Sequence, residues 1–243
     1  MTDTNTRTVK SFVTEDFRTA AVFEKYSIDF CCHGNVALSQ ACETRGVAVE
    51  TVADEIASVV STEGLAGVPY ESWGLDQLID HIVSRHHAFV RRMIPIITKH
   101  TQKVAEVHGA RHPEVVGIAG RFQLIAGELT NHMMKEERIL FPTIKQAELA
   151  RQGKSHYVAP AFGTLANPIR MMESEHDAAG DGLYEIRSAS GNYVPPEDAC
   201  TTYRVSYQEL EAFERDLHQH VHLENNILFP KALELEARLL QSA

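Results

Sequence analysis

The sequence predicts an all-α protein in which a small N-terminal helical domain precedes a four-helix bundle. Apolar residues recur at helical intervals along most of the chain, and no β alternation of useful length appears. One motif, H-x-x-x-E-x-x-I-L-F-P, begins at His132 and again at His220, which is 88 residues later (220 − 132). Four amphipathic segments and a repeat of this period indicate a bundle built from two similar helical hairpins.

The small domain is predicted to cover residues 1–68. Residues 1–10 are polar and are expected to be disordered, whereas residues 11–27 and 49–60 carry apolar side chains at helical spacing. Residues 61–69 are rich in glycine and other small residues, which is a composition typical of a linker. We therefore expect a domain boundary there.

The bundle is predicted to cover residues 70–243. Its helices are expected at 74–107, 114–141, 168–188 and from 198 or 201 to 229, with the second continuing to 149 and the fourth to 240. Pro95 falls inside the first of these helices, so we expect a kink there.

The repeated motif carries side chains that bind metals. A histidine and a glutamate four residues apart lie on the same face of a helix, and His132 with Glu136 and His220 with Glu224 have this spacing. Both pairs fall in the middle of apolar stripes, where a carboxylate is costly unless it is paired or bound to a metal. Imidazole and carboxylate groups are ligands for iron, zinc and manganese. The alternative is an exposed His–Glu contact, which the repetition disfavours.

The other two helices offer one histidine each. His176 precedes His220 by 44 residues, and His87 precedes His132 by 45. His86 lies nearer the centre of its apolar stripe than His87, so the helical wheel leaves both open, and the hairpin spacing slightly favours His87. Four histidines and two glutamates fit two non-haem iron ions joined by both glutamates and an oxo or hydroxo bridge.

Three further residues are candidates for a catalytic role. Glu128, one turn before His132, is expected to face the interior and to hold a ligand or line a proton route. Cys31 and Cys32 are expected at a helix start, where the helix dipole lowers a thiol pKa. Their alternative interpretation is two small buried residues. The remaining histidines are interpreted as surface or supporting residues: His33, His81, His100, His108, His112, His156, His218 and His222.

Composition limits the classes of partner. A net charge of −10 disfavours a nucleic-acid backbone, and no apolar run approaches the ~18–20 residues of a membrane span. The N-terminus lacks the apolar core of a secretory signal, and four cysteines do not make a disulfide framework for a chain this long. We therefore expect a protein of the reducing cytoplasm. The 13 histidines favour metal binding.

Several motifs together resemble the RIC (Repair of Iron Centers) di-iron proteins of the ScdA/YtfE type. The ScdA-like part is Tyr26-x-x-Asp29-Phe30-Cys31-Cys32-x-Gly34, and the hemerythrin-like part is Asp80-His-Ile-Val-x-Arg85-x-His87, His132-x-x-x-Glu136-Glu, Met172-Glu-Ser-Glu-His176-Asp and Leu223-Glu224-Asn-Asn. In that family an aromatic residue commonly precedes the ligand of the first helix. His86 occupies this position, so the resemblance favours His87 as the ligand.

The resemblance implies repair of iron–sulfur clusters damaged by nitric oxide or peroxide, by release or delivery of iron to damaged iron–sulfur proteins. Two other functions stay open. One is an enzyme that reduces nitric oxide at the di-iron centre, with Glu128 as its candidate proton route. The other is a protein that stores or senses O₂ or NO, for which the N-terminal domain is a poor output domain. That domain is also a candidate surface for a homodimer.

Overall fold

The computed structural model describes residues 6–61 and 68–241. Within these residues the regular elements are helical, apart from one isolated β-bridge between Thr8 and Ala37. The prediction of an all-α protein is confirmed. Among the helices described, none is both long and apolar enough to cross a membrane.

The chain forms two compact units. One unit contains Met1–Gly74 together with Val221–Lys231, and the other contains Leu75–His220 together with Ala232–Ala243. A segment near the end of the chain therefore clusters with the N-terminal residues. Most of the predicted linker at 61–69 lies outside the described residues.

The described part of the first unit, from residue 6 to residue 61, contains four short α-helices. They are α1 (Val9–Glu15), α2 (Ala20–Lys25), α3 (Leu38–Arg45) and α4 (Val49–Ser61). The expected disorder of residues 1–10 is wrong for the described part, because Val9 is buried and donates a backbone hydrogen bond to the Val36 carbonyl. Phe12, Phe23 and Phe30 fill the core between the helices.

The segment 221–231 packs into this aromatic core. His222 is buried, with its ring centroid 5.7 Å from that of Phe17 and 6.1 Å from that of Phe30, and burial lowers the pKa of His222 to about 3. Asn226 Nδ2 donates to the Phe30 and Cys31 carbonyls, each at 3.3 Å. Of the two alternatives for His222, a surface or a supporting position, the surface position is excluded, because two aromatic rings cover it.

In the described residues after 74, seven further helices follow, and π-helical turns interrupt three of the helical runs. The runs are α5 (Leu75–His81), a π turn (Ile82–His87) and α6 (Ala88–His108); α7 (Glu114–Lys135), a π turn (Glu136–Leu140) and α8 (Phe141–Arg151); α9 (Ala166–Ala189); and α10 (Thr201–Leu223), a π turn (Glu224–Leu228) and α11 (Phe229–Gln241). Each of these helical runs begins and ends close to the bounds predicted from the sequence.

The repeated motif explains two of the π turns. The Phe141 N–H donates to the Glu136 carbonyl, five residues back, and Phe229 donates to Glu224 in the same way. Proline follows each phenylalanine and has no N–H to donate, which disfavours a regular α-helix there. The sequence I-L-F-P therefore places an irregular turn that begins at the glutamate of each H-x-x-x-E.

The first helical run differs from the expectation at Pro95. The structure keeps Pro95 inside α6, and the irregular turn lies earlier, at Ile82–His87. Pro95 is exposed, so the carbonyl that it leaves without a helical donor lies on the solvent side. Helices α7 and α9 pack closely, since a Cβ added to Gly182 would lie 2.9 Å from Ile125 Cδ1.

Candidate metal centre

Four buried histidines form two close pairs. The Nε2 atoms of His87 and His220 are 3.2 Å apart, and those of His132 and His176 are 3.0 Å apart. The exposure of all four residues is 1% or less. In each pair the two Nε2 atoms therefore face the same small volume.

Glu136 lies between the two pairs. Its Oε2 atom is 3.4 Å from His87 Nε2 and 3.3 Å from His132 Nε2, and the side chain is fully buried. Glu224 follows His220 by one turn of the same helical run and is also fully buried.

The six predicted ligands fall into two groups, and within each group the four ligand atoms lie within 4.8 Å of one another. The groups are His87, Glu136, His220 and Glu224, and His132, Glu136, His176 and Glu224. Both glutamates belong to both groups. The arrangement therefore offers two adjacent cation positions that share two carboxylates.

The spacing of the nitrogens fits metal coordination. Two imidazole nitrogens bound to one cation at about 2.1 Å lie about 3.0–3.2 Å apart when the angle between them is about 90–100°. The two observed separations fall in this range. The ligand atoms are nitrogen and oxygen, which suit iron, zinc or manganese.

Two carboxylates outside the ligand groups orient two of the histidines, His87 and His132. Glu137 Oε1 lies 2.6 Å from His87 Nδ1, and Glu175 Oε2 lies 2.9 Å from His132 Nδ1. An Nδ1–H that donates to a carboxylate makes Nε2 the ring nitrogen whose lone pair can bind a metal. Burial alone would raise the pKa of each carboxyl, and bonds from the histidine and from a nearby cation hold both below their usual values.

These outer carboxylates were not in the predicted set. Their nearby cations are Arg91, 2.6 Å from Glu137, and Lys135, which bonds to Glu175. The only sequence signal is that each glutamate adjoins a predicted ligand, Glu136 or His176.

Comparison with known proteins supports the same two-part organisation. Residues 5–60 match the family ScdA_N, a domain of unknown function (DUF542), and residues 78–232 match the hemerythrin HHE cation binding domain. The iron-sulfur cluster repair protein YtfE of Dickeya chrysanthemi (strain Ech1591) is 37% identical over 220 residues, which cover 90% of this chain and 93% of that relative.

Two further relatives with the same name come from Escherichia coli O157:H7 and Citrobacter koseri. They are 37% and 38% identical, and each comparison covers 89% of this chain and 91% of the relative. The chain belongs to the YtfE family of iron-sulfur cluster repair proteins. The resemblance based on the motifs is thereby confirmed.

Within this YtfE-family chain, the structure distinguishes the two adjacent histidines of the first helical run. His86 is fully buried but belongs to neither ligand group. Its Nδ1 atom is 3.1 Å from Asp216 Oδ2, and its ring stacks on that of His220 with centroids 5.7 Å apart. His86 is thus placed to support His220, whereas His87 is placed among the candidate ligands.

This difference gives a direct test by substitution. We expect His87→Ala to lower the bound iron from two per chain to one or fewer, because a ligand of one cation is removed. His86→Ala should keep most of the iron, since it removes a neighbour of His220 and Asp216 but no candidate ligand. Iron analysis of both purified variants measures the effect. An empty centre in His86→Ala beside a full one in His87→Ala would reverse the assignment.

Glu128 does not face the interior as expected. Its side chain is exposed, whereas Leu129 beside it is buried. At roughly 100° per residue, Glu128 lies about 105° from the centre of the buried stripe of α7, which is enough to place it at the surface. The expectation that its side chain faces the interior is therefore wrong, and its part in a proton route stays a prediction.

Cys31 and Cys32 lie in a turn and not at a helix start, because α3 begins only at Leu38. Cys31 is buried and Cys32 is partly exposed. Its hydrogen bond with Cys32, burial and the nearby Asp29 carboxylate raise the pKa of Cys31 well above its usual value. The predicted lowering of the thiol pKa is wrong for Cys31, because it lacks a helix dipole and has a carboxylate neighbour.

His108, interpreted as a surface or supporting residue, is also buried. His108 is 4% exposed, and its Nε2 atom lies 3.2 Å from Cys200 Sγ. His33 is exposed, in agreement with the prediction.

Proposed function

We propose that the protein holds two iron ions in this centre and uses them to repair iron–sulfur clusters damaged by nitric oxide or peroxide. The observation that carries the proposal is the pair of buried ligand groups that share Glu136 and Glu224. A cation-binding family match and the repair function in the names of the relatives point the same way. The partners are then damaged iron–sulfur proteins, in a reducing cytoplasm.

The residues divide between the two ions. His87 and His220 would hold one iron, His132 and His176 the other, and both glutamates would contribute to each. When bound, the two ions supply ferrous–ferric redox chemistry, a source of transferable iron and a place for NO or O₂ to bind. This assignment accounts for every ligand atom of the two groups.

The surrounding side chains prepare the centre for that role. Burial of the histidines excludes bulk water, and Glu137 and Glu175 keep a proton on Nδ1 of His87 and His132. Arg91 and Lys135 balance the charge of these carboxylates. The imidazoles are thereby preset to bind a cation through Nε2.

Reduction of nitric oxide at the same centre is the main alternative. Its candidate proton route was Glu128, and this side chain is exposed. We therefore favour repair by delivery or release of iron, with Cys31 and Cys32 receiving or passing on the metal, for which soft thiolates are suited.

Metal content tests the proposal directly. Protein purified from iron-replete cells should contain about two irons per chain, as expected for two imidazole–carboxylate sites. Its Mössbauer spectrum should show a coupled iron pair. The same preparation should restore a nitrosylated aconitase-type enzyme. Stoichiometric zinc in place of iron, without visible absorption, would contradict the di-iron assignment.

A further inference from the structure

A second set of metal-binding side chains lies in the turn that follows α2. Asp29, Cys31 and Cys32 each offer a ligand atom, and the three atoms lie within 4.8 Å of one another. We propose that these residues bind one borderline-soft divalent cation, Fe²⁺ or Zn²⁺. This site uses no ligand of the histidine–glutamate centre, and the inference does not rest on the proposed repair function.

The interatomic distances match such a site. The two Sγ atoms are 3.7 Å apart, and two thiolates bound to a tetrahedral cation at about 2.3 Å are about 3.8 Å apart. Cys31 Sγ lies 3.4 Å from Asp29 Oδ1, and a sulfur and an oxygen on one such cation are about 3.6 Å apart. A disulfide needs a sulfur separation of about 2.0 Å, so the thiols are spaced for a shared metal.

The carboxylate is held in place without a metal. Asp29 Oδ1 accepts hydrogen bonds from the backbone N–H groups of Cys31 at 2.9 Å and Cys32 at 3.0 Å. His33 Nδ1 lies 2.8 Å from Asp29 Oδ2. Carboxylates that bind metals are commonly hydrogen-bonded to an outer partner, and here His33 holds the second oxygen, Oδ2, in place.

The turn itself is built to bring the thiols together. A Cβ added to Gly34 would lie 2.4 Å from the Phe30 carbonyl oxygen, so only glycine allows the chain to close this tightly. The Cys31 carbonyl accepts from Asn226 Nδ2 at 3.3 Å, which anchors the turn to the segment 221–231 of the same unit. The spacing Asp29-x-Cys31-Cys32-x-Gly34 thus has a structural reason.

Three protein ligands leave at least one coordination position for water or for a donor atom from another molecule. Sites with an open position exchange ligands, whereas structural sites are closed by four protein ligands. Cys32 and Asp29 are partly exposed, which gives such a donor access. Each thiol releases its proton when it binds the cation. The site is therefore suited to transient binding.

Cobalt titration of the full-length, iron-loaded and reduced protein tests the site. Thiolate-to-cobalt absorption in the near ultraviolet reports sulfur ligands, and neither histidine–glutamate group contains sulfur. We expect this absorption to saturate at one added cobalt per chain. Cys31→Ser and Cys32→Ser should each abolish the two-thiolate spectrum, and His33→Ala should weaken affinity about 10–100-fold through the Asp29 orientation.

Matched variants distinguish loss of this site from loss of a cysteine elsewhere and from loss of the fold. Cys200→Ser removes a cysteine outside the group and should leave the titration unchanged. Asp29→Asn keeps an oxygen for the backbone N–H groups but loses the charge, so it should bind cobalt more weakly while retaining iron and helical circular dichroism. No sulfur absorption in the wild type, or its persistence in Cys31→Ser/Cys32→Ser, would overturn the proposal whatever the histidine–glutamate centre contains.

Discussion

Replacing Glu136 with alanine should remove both irons, because this carboxylate belongs to both ligand groups. His87 and His132 would each lose the neighbour that lies within 3.4 Å of their Nε2 atoms. The expected result is a fall from two irons per chain to nearly none, whereas loss of a ligand used by one ion empties that position first. Iron analysis after desalting measures the change.

The adjacent residue supplies the control. Glu137→Ala leaves both ligand groups intact and removes only the carboxylate bonded to His87 Nδ1. Its effect should be a loss of about 10–100-fold in affinity, which is typical of outer partners, with both irons retained at saturating metal. A Glu136→Ala protein that still carried two irons would show that the cations are held elsewhere.

The second large effect concerns the thiols. We expect Cys31→Ser/Cys32→Ser to retain two irons but to lose most of its ability to restore a nitrosylated aconitase-type enzyme. The reason is that no sulfur lies in either histidine–glutamate group, whereas thiolates suit the passage of iron. Any consumption of nitric oxide at the iron centre should survive the double substitution.

Repair and nitric oxide consumption are best measured in one preparation, beside Cys200→Ser as the exposed-cysteine control. Full repair by the double variant would mean that the cysteines are structural and that iron reaches damaged clusters by another route. Loss of both activities together with the iron would instead show that the variant is misfolded, which circular dichroism detects independently.

The helices and the set of six candidate ligands could be predicted from the sequence for a simple reason. The spacing of His132 with Glu136 and of His220 with Glu224 is set by the helical repeat, and the apolar stripe around each pair identifies the buried face. Glu128 shows the limit of this reasoning, because the edge of a stripe is where a wheel is least discriminating.

A helical wheel could not decide which of His86 and His87 is the candidate ligand. The π turn at Ile82–His87 adds a residue to one helical turn, so the inward face moves by about one position relative to a regular helix. A wheel drawn at about 100° per residue therefore centres on His86, one position too early. Glu137 and Glu175 escaped prediction because their contacts join different helices.

The prediction that the N-terminal cysteines lie at a helix start is wrong for a different reason. Cys31 and Cys32 precede a helix in the sequence, but the backbone between them and Leu38 turns first, and Asp29 caps that turn with its own carboxylate. A short polar side chain that competes with helix formation in this way is hard to distinguish from an N-cap in sequence alone.

The grouping of residues 221–231 with the N-terminal unit bears on how such proteins can evolve. His222, Asn226 and Lys231 are bonded or packed against residues of the first 74, and Glu224 stands among them in the chain. Recombination at the linker alone therefore could not add or remove the complete N-terminal unit. A chain without it would leave these three side chains without the partners they have here, so other residues would be needed at these positions.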